Sequence, residues 1–210
     1  MSPAAKEPLQ PEGFEELLRL RAPDFALSSD SWPQLGVYLA ELDRWRRTMN
    51  LTGPLGAEEL VAHSLESVLG AALIPHGERV IDIGSGAGFP GLPIAIARAD
   101  LSLSLCEPRA KRAAFLRHVV RVMGLASTSV LESRALEVGG QTFDSATIRA
   151  VGDPSGWLGT APFLRPSGAL MAWTTQPEAL AQQISGRFGL ENVVAIPGSK
   201  RRKIALYRLR

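Results

Sequence analysis

The chain has 210 residues, enough for one substantial core and a small appendage. Its 45% hydrophobic and 21% charged residues are ordinary for a globular protein, and no apolar run reaches the roughly 18 residues of a bilayer span. Met1 to Gln10 lacks a signal-peptide core, and the single cysteine, Cys106, excludes an internal disulfide and a cysteine-rich zinc site, so the expected compartment is the cytoplasm.

The net charge of +2 is unevenly spread. Residues 1–79 carry 7 Lys/Arg against 12 Asp/Glu, a net of −5, while residues 80–210 carry 16 against 9, a net of +7. A basic half favours a polyanionic partner there. A pI near 9.0 alone is also compatible with simple solvated charge.

Residues 1–13 are rich in Pro and polar side chains and are expected to fray. Phe14 to Arg21 reads as a short helix, with Phe14, Leu17, Leu18 and Arg21 at helical spacing. Asp30 or Ser31 suits the N-cap of a second helix carrying Leu35, Leu39, Leu42 and Trp45, ending near Asn50. A third helix is expected from about Ala57 to Leu73, closed by Ile74-Pro75-His76-Gly77. Trp32 and Trp45 are expected to pack these helices together.

From residue 80 strands and helices alternate. Strands are expected near 79–83, 101–106, 128–132, 143–148, 168–173, 192–197 and 203–209, and helices at about 90–98, 109–123, 154–163 and 177–187. Such alternation gives an α/β fold with a mostly parallel sheet covered on both faces. Only Gly198 to Arg202 separate the last two strands, too few for a parallel crossover, so they should form an antiparallel hairpin.

The densest signal is Val80-Ile81-Asp82-Ile83-Gly84-Ser85-Gly86-Ala87-Gly88-Phe89-Pro90-Gly91. A β-branched strand runs into glycines at alternate positions and then into a helix start with Pro90, the arrangement of a nucleotide-like cofactor site. A dinucleotide fingerprint needs its third glycine three residues after the second. Here that position is Phe89, and Asp82 would face a pyrophosphate unfavourably. A carboxylate suits a phosphate-free cationic cofactor, and S-adenosylmethionine carries an ammonium and a sulfonium. Glu107 ends the second strand, 23 residues after Gly84, where a carboxylate can accept both ribose hydroxyls. Alternatively, Asp82 caps the loop and Glu107 is merely solvated. The terminal hairpin also fits a methyltransferase sheet better than a dehydrogenase sheet.

Several words in order make the chain resemble the bacterial small-subunit ribosomal RNA guanine-N7 methyltransferases, the RsmG family, formerly GidB. They are Leu42-Asp43-Arg44-Trp45 with Asn50-Leu51-Thr52, His63-Ser64-Leu65-Glu66-Ser67, Asp82 through Pro93, and Lys111-Arg112-x-x-Phe115-Leu116. Glu132 to Glu137, Phe143-Asp144 and Arg149-Ala150 follow. The chain departs from the family pattern at Ala62, at Ile148, in the segment Asp153 to Gly156, and at Thr174-Thr175, where a Lys-Gly pair is usual. The resemblance implies a Rossmann-like class I methyltransferase domain over residues 78–210 and a small helical N-terminal subdomain over 1–77. It implies S-adenosylmethionine as cofactor, held by Asp82, Gly84, Gly86, Phe89, Glu107, Ala135, Leu136 and Arg149. It also implies 16S ribosomal RNA or the small ribosomal subunit as partner, and a monomer is expected.

Guanine N7 carries a lone pair and no proton, so its methylation is an in-line displacement needing no general base. Catalysis then rests on positioning and electrostatics, with Arg149 as a positioning residue at the carboxyl end of the fourth strand. A structural salt bridge is the alternative for Arg149. Lys111 and Arg112 on the helix after the second strand, and Lys200, Arg201 and Arg202 in the final hairpin, are the expected RNA contacts. That hairpin run could instead be a charged turn protecting a sheet edge. His63 reads as structural, Trp173 as either core or a base-stacking platform, and no metal is expected. Two other functions remain open: a methyltransferase of this fold acting on another substrate, and a non-catalytic RNA- or ribosome-binding protein.

Overall fold

The computed structural model of the chain describes residues 8–139, 141–150, 162–184 and 186–210. Three helices come first: α1 (Pro11–Arg21), α2 (Ser31–Trp45) and α3 (Ala57–Ala71). The alternating part runs β1 (Arg79–Ile83), α4 (Gly91–Ala97), β2 (Ser102–Cys106), α5 (Ala110–Val122), β3 (Thr128–Leu131) and a 3₁₀ turn at Ala135–Glu137. It continues through β4 (Phe143–Arg149), β5 (Leu164–Thr174), α6 (Pro177–Ile184), β6 (Phe188–Ala195) and β7 (Lys203–Leu209). The helix expected at 154–163, apart from its last two residues, and the segment Asp153 to Gly156 lie outside the described residues.

The seven strands form one sheet in the order β3-β2-β1-β4-β5-β7-β6. β1 to β5 are parallel, and β7 slots antiparallel between β5 and β6. The expected hairpin is therefore present, with β7 also completing β5. Alternating side chains separate two buried clusters. Val80, Leu103, Leu105, Met171, Trp173 and Ile204 join α1 to α5 on one face. Ile81, Ile83, Cys106, Leu170, Ala172 and Tyr207 join Leu180 and Ile184 of α6 on the other. The N-terminal helices thus share a core with the face that carries α4 and α5.

Four of the boundaries that differ from the sequence reading do so for an evident local reason. α1 begins at Pro11, inside the stretch expected to fray, because Pro suits a first helical position and Leu9 packs against the core. Gly36 lets α2 lie against that start, since a Cβ there would stand 2.5 Å from the Pro11 carbonyl oxygen. α2 stops at Trp45, where Arg46 folds back onto Asp43 and donates to the Leu55 carbonyl. Asp30 holds the N-cap position without a capping bond; the Ser31 N–H is accepted by Ser28 Oγ instead. β6 starts at Phe188, ahead of its expected start, because Gly189, Glu191 and Asn192 weaken the sequence signal while β7 supplies the pairing, with a bulge between Leu190 and Asn192. Lastly, β5 starts at Leu164 instead of 168, and its exposed Arg165–Ser167 stretch hid that beginning.

Candidate active site

The glycine loop leaves β1 at the carboxyl edge of the sheet. Gly84, Gly86 and Gly88 have φ of 72°, 53° and 101°, a region that side-chain-bearing residues enter at a cost. The N–H groups of Gly84 and Ser85 donate to the Cys106 carbonyl at 2.8 and 3.1 Å, tying the loop to the end of β2. Tyr38 on α2 donates its hydroxyl to the Ala87 carbonyl at 2.9 Å. Burial raises the Tyr38 hydroxyl well above the usual phenol range, so it remains a donor. The helical layer therefore holds the loop from one side.

Two carboxylates underlie this loop. Asp82 is fully buried; its Oδ1 accepts from Thr147 Oγ1 at 2.8 Å, and Oδ2 is packed against the Gly91 backbone at the start of α4. Burial pushes its carboxyl up to about 6 against the opposing pull of the Thr147 bond. Asp82 thus lies beneath the loop rather than in its mouth. Glu107 is 3% exposed and accepts the Gly86 N–H at 3.0 Å and the Arg109 N–H at 2.8 Å, one on each oxygen. Each oxygen keeps acceptor capacity for a further donor.

These residues fit S-adenosylmethionine. A Cβ added at Gly86 would sit in van der Waals contact with Arg112 and the Gly84 carbonyl at 3.6 Å and with Glu107 Oε2 at 3.9 Å, so a side chain there would crowd the Glu107 carboxylate. The buried Asp82 carboxyl lies under the loop, and in its ionised form it adds the negative character that suits a cationic cofactor. Ala135 and Leu136 follow β3 at the same edge; Ala135 is buried and Leu136 is 54% exposed, an apolar surface at the end of the next strand.

Arg149 ends β4 and turns toward the helical layer. Its guanidinium donates to Glu66 Oε2 at 2.9 Å and contacts His63 Nδ1, both on α3. It also lies 5.9 Å from the Phe89 ring centre, and Phe89 meets His63 and Tyr38 edge-on at 5.8 and 5.5 Å. Glu66 is 5% exposed and shared, because Arg202 approaches its Oε1 at 2.6 Å and Trp173 Nε1 donates to its backbone carbonyl at 2.9 Å. Burial pushes the Glu66 carboxyl up, but His63, Arg149 and Arg202 outweigh it and hold the group below the usual carboxylate range. Burial lowers the Arg149 guanidinium, and Glu66 counters it. Helical layer, fourth strand and final hairpin converge on this one carboxylate, and Phe89 of the glycine loop packs on its partners Arg149 and His63.

The structure sorts the expected basic contacts. Lys111, Lys200 and Arg201 are exposed. Arg112 instead donates to the Asn50 carbonyl at 3.3 Å and lies next to Gly86, so it leans over the loop. Arg202 is engaged by Glu66. Trp173 is core, 8% exposed and pressed against Gly70, so it is no stacking platform. Trp45 packs on Phe115 and His118 of α5 as well as on its own layer. Sequence reasoning did not single out Tyr38 and Glu66 as site residues; Glu66 lay inside the family-like word His63 to Ser67, whereas Tyr38 lay in none and carried no signal beyond the helix around it. Among the described residues no group of three or more His, Cys, Asp or Glu is arranged to hold a metal.

Sheet order, antiparallel seventh strand and acid-flanked glycine loop define a class I methyltransferase that uses S-adenosylmethionine. The chain belongs to the rRNA small subunit methyltransferase G family, also called GidB, which matches residues 32–196. It is 41% identical over 170 residues to the ribosomal RNA small subunit methyltransferase G of Sorangium cellulosum, covering 77% of this chain and 70% of that protein. Its counterpart in Dictyoglomus thermophilum is 32% identical over 202 residues, covering 90% and 81%. Among solved structures, MtNAS in complex with MTA and tNA superposes with a TM-score of 0.63 at 16% identity, covering 98% of this chain and 91% of that one. A SAM-dependent methyltransferase from Aquifex aeolicus gives 0.57 at 16% identity, covering 69% and 88%. At such identities these two likenesses establish the fold alone.

Proposed function

We propose that the protein transfers the methyl group of S-adenosylmethionine to N7 of a guanine in 16S ribosomal RNA. The observation that carries this is the family match over residues 32–196, which spans the glycine loop, Glu107, Arg149 and the helices α2 and α3 over them. The cofactor supplies an electrophilic methyl on a sulfonium. Glu107 accepts the ribose hydroxyls, Gly84, Gly86 and Phe89 shape the methionine end, and Ala135 with Leu136 borders the adenine. Asp82 stabilises the cationic end from beneath the loop. Arg149 is a positioning residue, oriented by Glu66 and His63, for the methionine carboxylate or an RNA oxygen. N7 has no proton to remove, so rate enhancement comes from alignment and exclusion of water. Lys111, Lys200 and Arg201 track RNA phosphates, and the basic run 200–203 supports that reading.

No helix among the described residues is long and apolar enough to cross a membrane. A cytoplasmic monomer acting on the small subunit or its RNA fits this assignment. Incubation with labelled S-adenosylmethionine and 16S RNA or small subunits, followed by mapping of N7-methylguanine, tests it. Label at a single guanine N7 supports the assignment, and no transfer to either substrate refutes it.

A further inference from the structure

A cleft of about 540 Å³ opens beside Arg149, between the carboxyl ends of β4 and β5 and helix α6. That volume lies within the usual range of small-molecule sites. Gln176, Ala179, Leu180 and Gln183 line one wall. Ala179, Leu180 and Gln183 lie on one stripe of α6, and Gln176 immediately precedes its first turn, so two carboxamides flank a small alanine. Ala150 and Ala172 line it with small side chains, and Thr174 and Thr175 add hydroxyls.

The cation of this cleft comes from an unexpected strand. β7 runs antiparallel to β5, so the start of β7 arrives at the same edge as the carboxyl end of β5. Lys203 lies directly opposite Thr174 in that ladder, and directly opposed residues share a face. Both line the cleft. Lys203 is half-buried and, among the described residues, makes no ion pair or side-chain hydrogen bond. Its neighbours differ: Arg149 and Arg202 are both engaged by Glu66. Among the described residues Lys203 is therefore the uncommitted positive charge of a polar cleft, which reaches the glycine loop through Arg149 and its neighbour Phe89.

We propose that this cleft receives the single target guanosine, extruded from its stack, and that Lys203 binds the phosphate of that nucleotide. This rests on the methyltransferase assignment above. The deep, narrow major groove of an RNA helix withholds guanine N7, so the base must leave its stack to meet a methyl donor at the sheet edge. A carboxamide such as that of Gln176 or Gln183 can pair with the O6 and N1–H of guanine. That leaves N7 uncovered, which an arginine bidentate to O6 and N7 would not. Lys203 supplies the anchoring charge without approaching the ring that becomes cationic.

The test compares Lys203→Ala, Lys203→Gln and Lys203→Arg with the unaltered protein, using 16S RNA and small subunits. The two neutral variants should raise the RNA KM roughly tenfold, the scale of one charge-assisted contact. S-adenosylmethionine affinity, read by calorimetry, should not change. The slope of log RNA affinity against log salt should fall in magnitude by about 0.7 to 0.9, one phosphate contact. Lys203→Arg should recover most of the loss. Neutral variants that retain the parental KM and salt slope overturn the cleft assignment alone, as does a loss confined to cofactor affinity. If the unaltered protein transfers no methyl to either substrate, the functional assignment falls and the cleft assignment falls with it.

Discussion

The Glu66 carboxylate on α3 and the Arg149 guanidinium at the end of β4 meet at 2.9 Å, although 83 residues separate them in sequence. Glu66 also takes Arg202 from the hairpin, so one buried carboxylate balances two arginines. Replacing it leaves an uncompensated buried cation, and breaking such pairs costs about 3 to 5 kcal/mol. Glu66→Gln should therefore lower the unfolding free energy by about 3 kcal/mol at neutral pH, discounted for the half-exposed Arg202. Because the folded Glu66 carboxyl is held below its ordinary range, its contribution is present above that range and is lost as pH falls through the folded value. The gap between parent and variant, followed by denaturant unfolding, should close in acid. A gap independent of pH contradicts this role.

Asp82 has the opposite sign. Its folded carboxyl is raised from 3.8 to about 6 by burial, so its ionisation costs stability as pH rises between those values. Asp82→Asn can keep the Thr147 hydrogen bond and removes that cost. Thermal unfolding should show the variant more stable than the parent at pH 7.5, by at most about 3 kcal/mol, with the difference vanishing near pH 4. Cofactor affinity should fall in the same variant, since the loop loses the charge beneath it. A variant less stable than the parent at pH 7.5 refutes the buried-charge account.

Glu107 anchors the loop and, in the proposed site, the ribose. Glu107→Ala should weaken S-adenosylmethionine binding about hundredfold, as two hydrogen bonds to a charged group are lost. Calorimetric titration reads this directly. An alanine variant that binds the cofactor as tightly as the parent removes Glu107 from the site.

Gly70 is required by contact rather than by backbone conformation. A Cβ there would stand 2.2 Å from the Trp173 ring, whose indole N–H is already committed to the Glu66 carbonyl. Gly70→Ala should destabilise by about 1 to 3 kcal/mol through overpacking, despite the better helix propensity of alanine. A neutral or stabilising result in urea unfolding would mean that α3 and β5 are not in tight contact.

Local chemistry made much of this legible in the sequence. The strand at 79–83, the glycine loop and the final hairpin follow from β-branched runs, alternate glycines and a connection too short for a crossover. Glu107 followed from its distance beyond the loop. The central cluster did not. Tyr38, Glu66, Arg149 and Arg202 come from four separate elements, and only the packing of α2 and α3 against the sheet brings them together. Lys203 was legible as part of the basic run 200–203, but its place was not, because only the insertion of β7 beside β5 carries it to the edge where the parallel strands end. Arg202 and Arg112 looked like free surface charge because their partners, Glu66 and the Asn50 carbonyl, are remote in sequence.

Mapping the methyl group on ribosomal RNA is the most direct measurement of the central claim. The protein, labelled S-adenosylmethionine and unmethylated 16S RNA or small subunits are incubated, and the RNA is cleaved chemically at N7-methylguanine. The expected result is label at one guanine N7, lost in Glu107→Ala and strongly reduced in Glu66→Gln. Label on another atom or another molecule, or no transfer with cofactor bound, would contradict it.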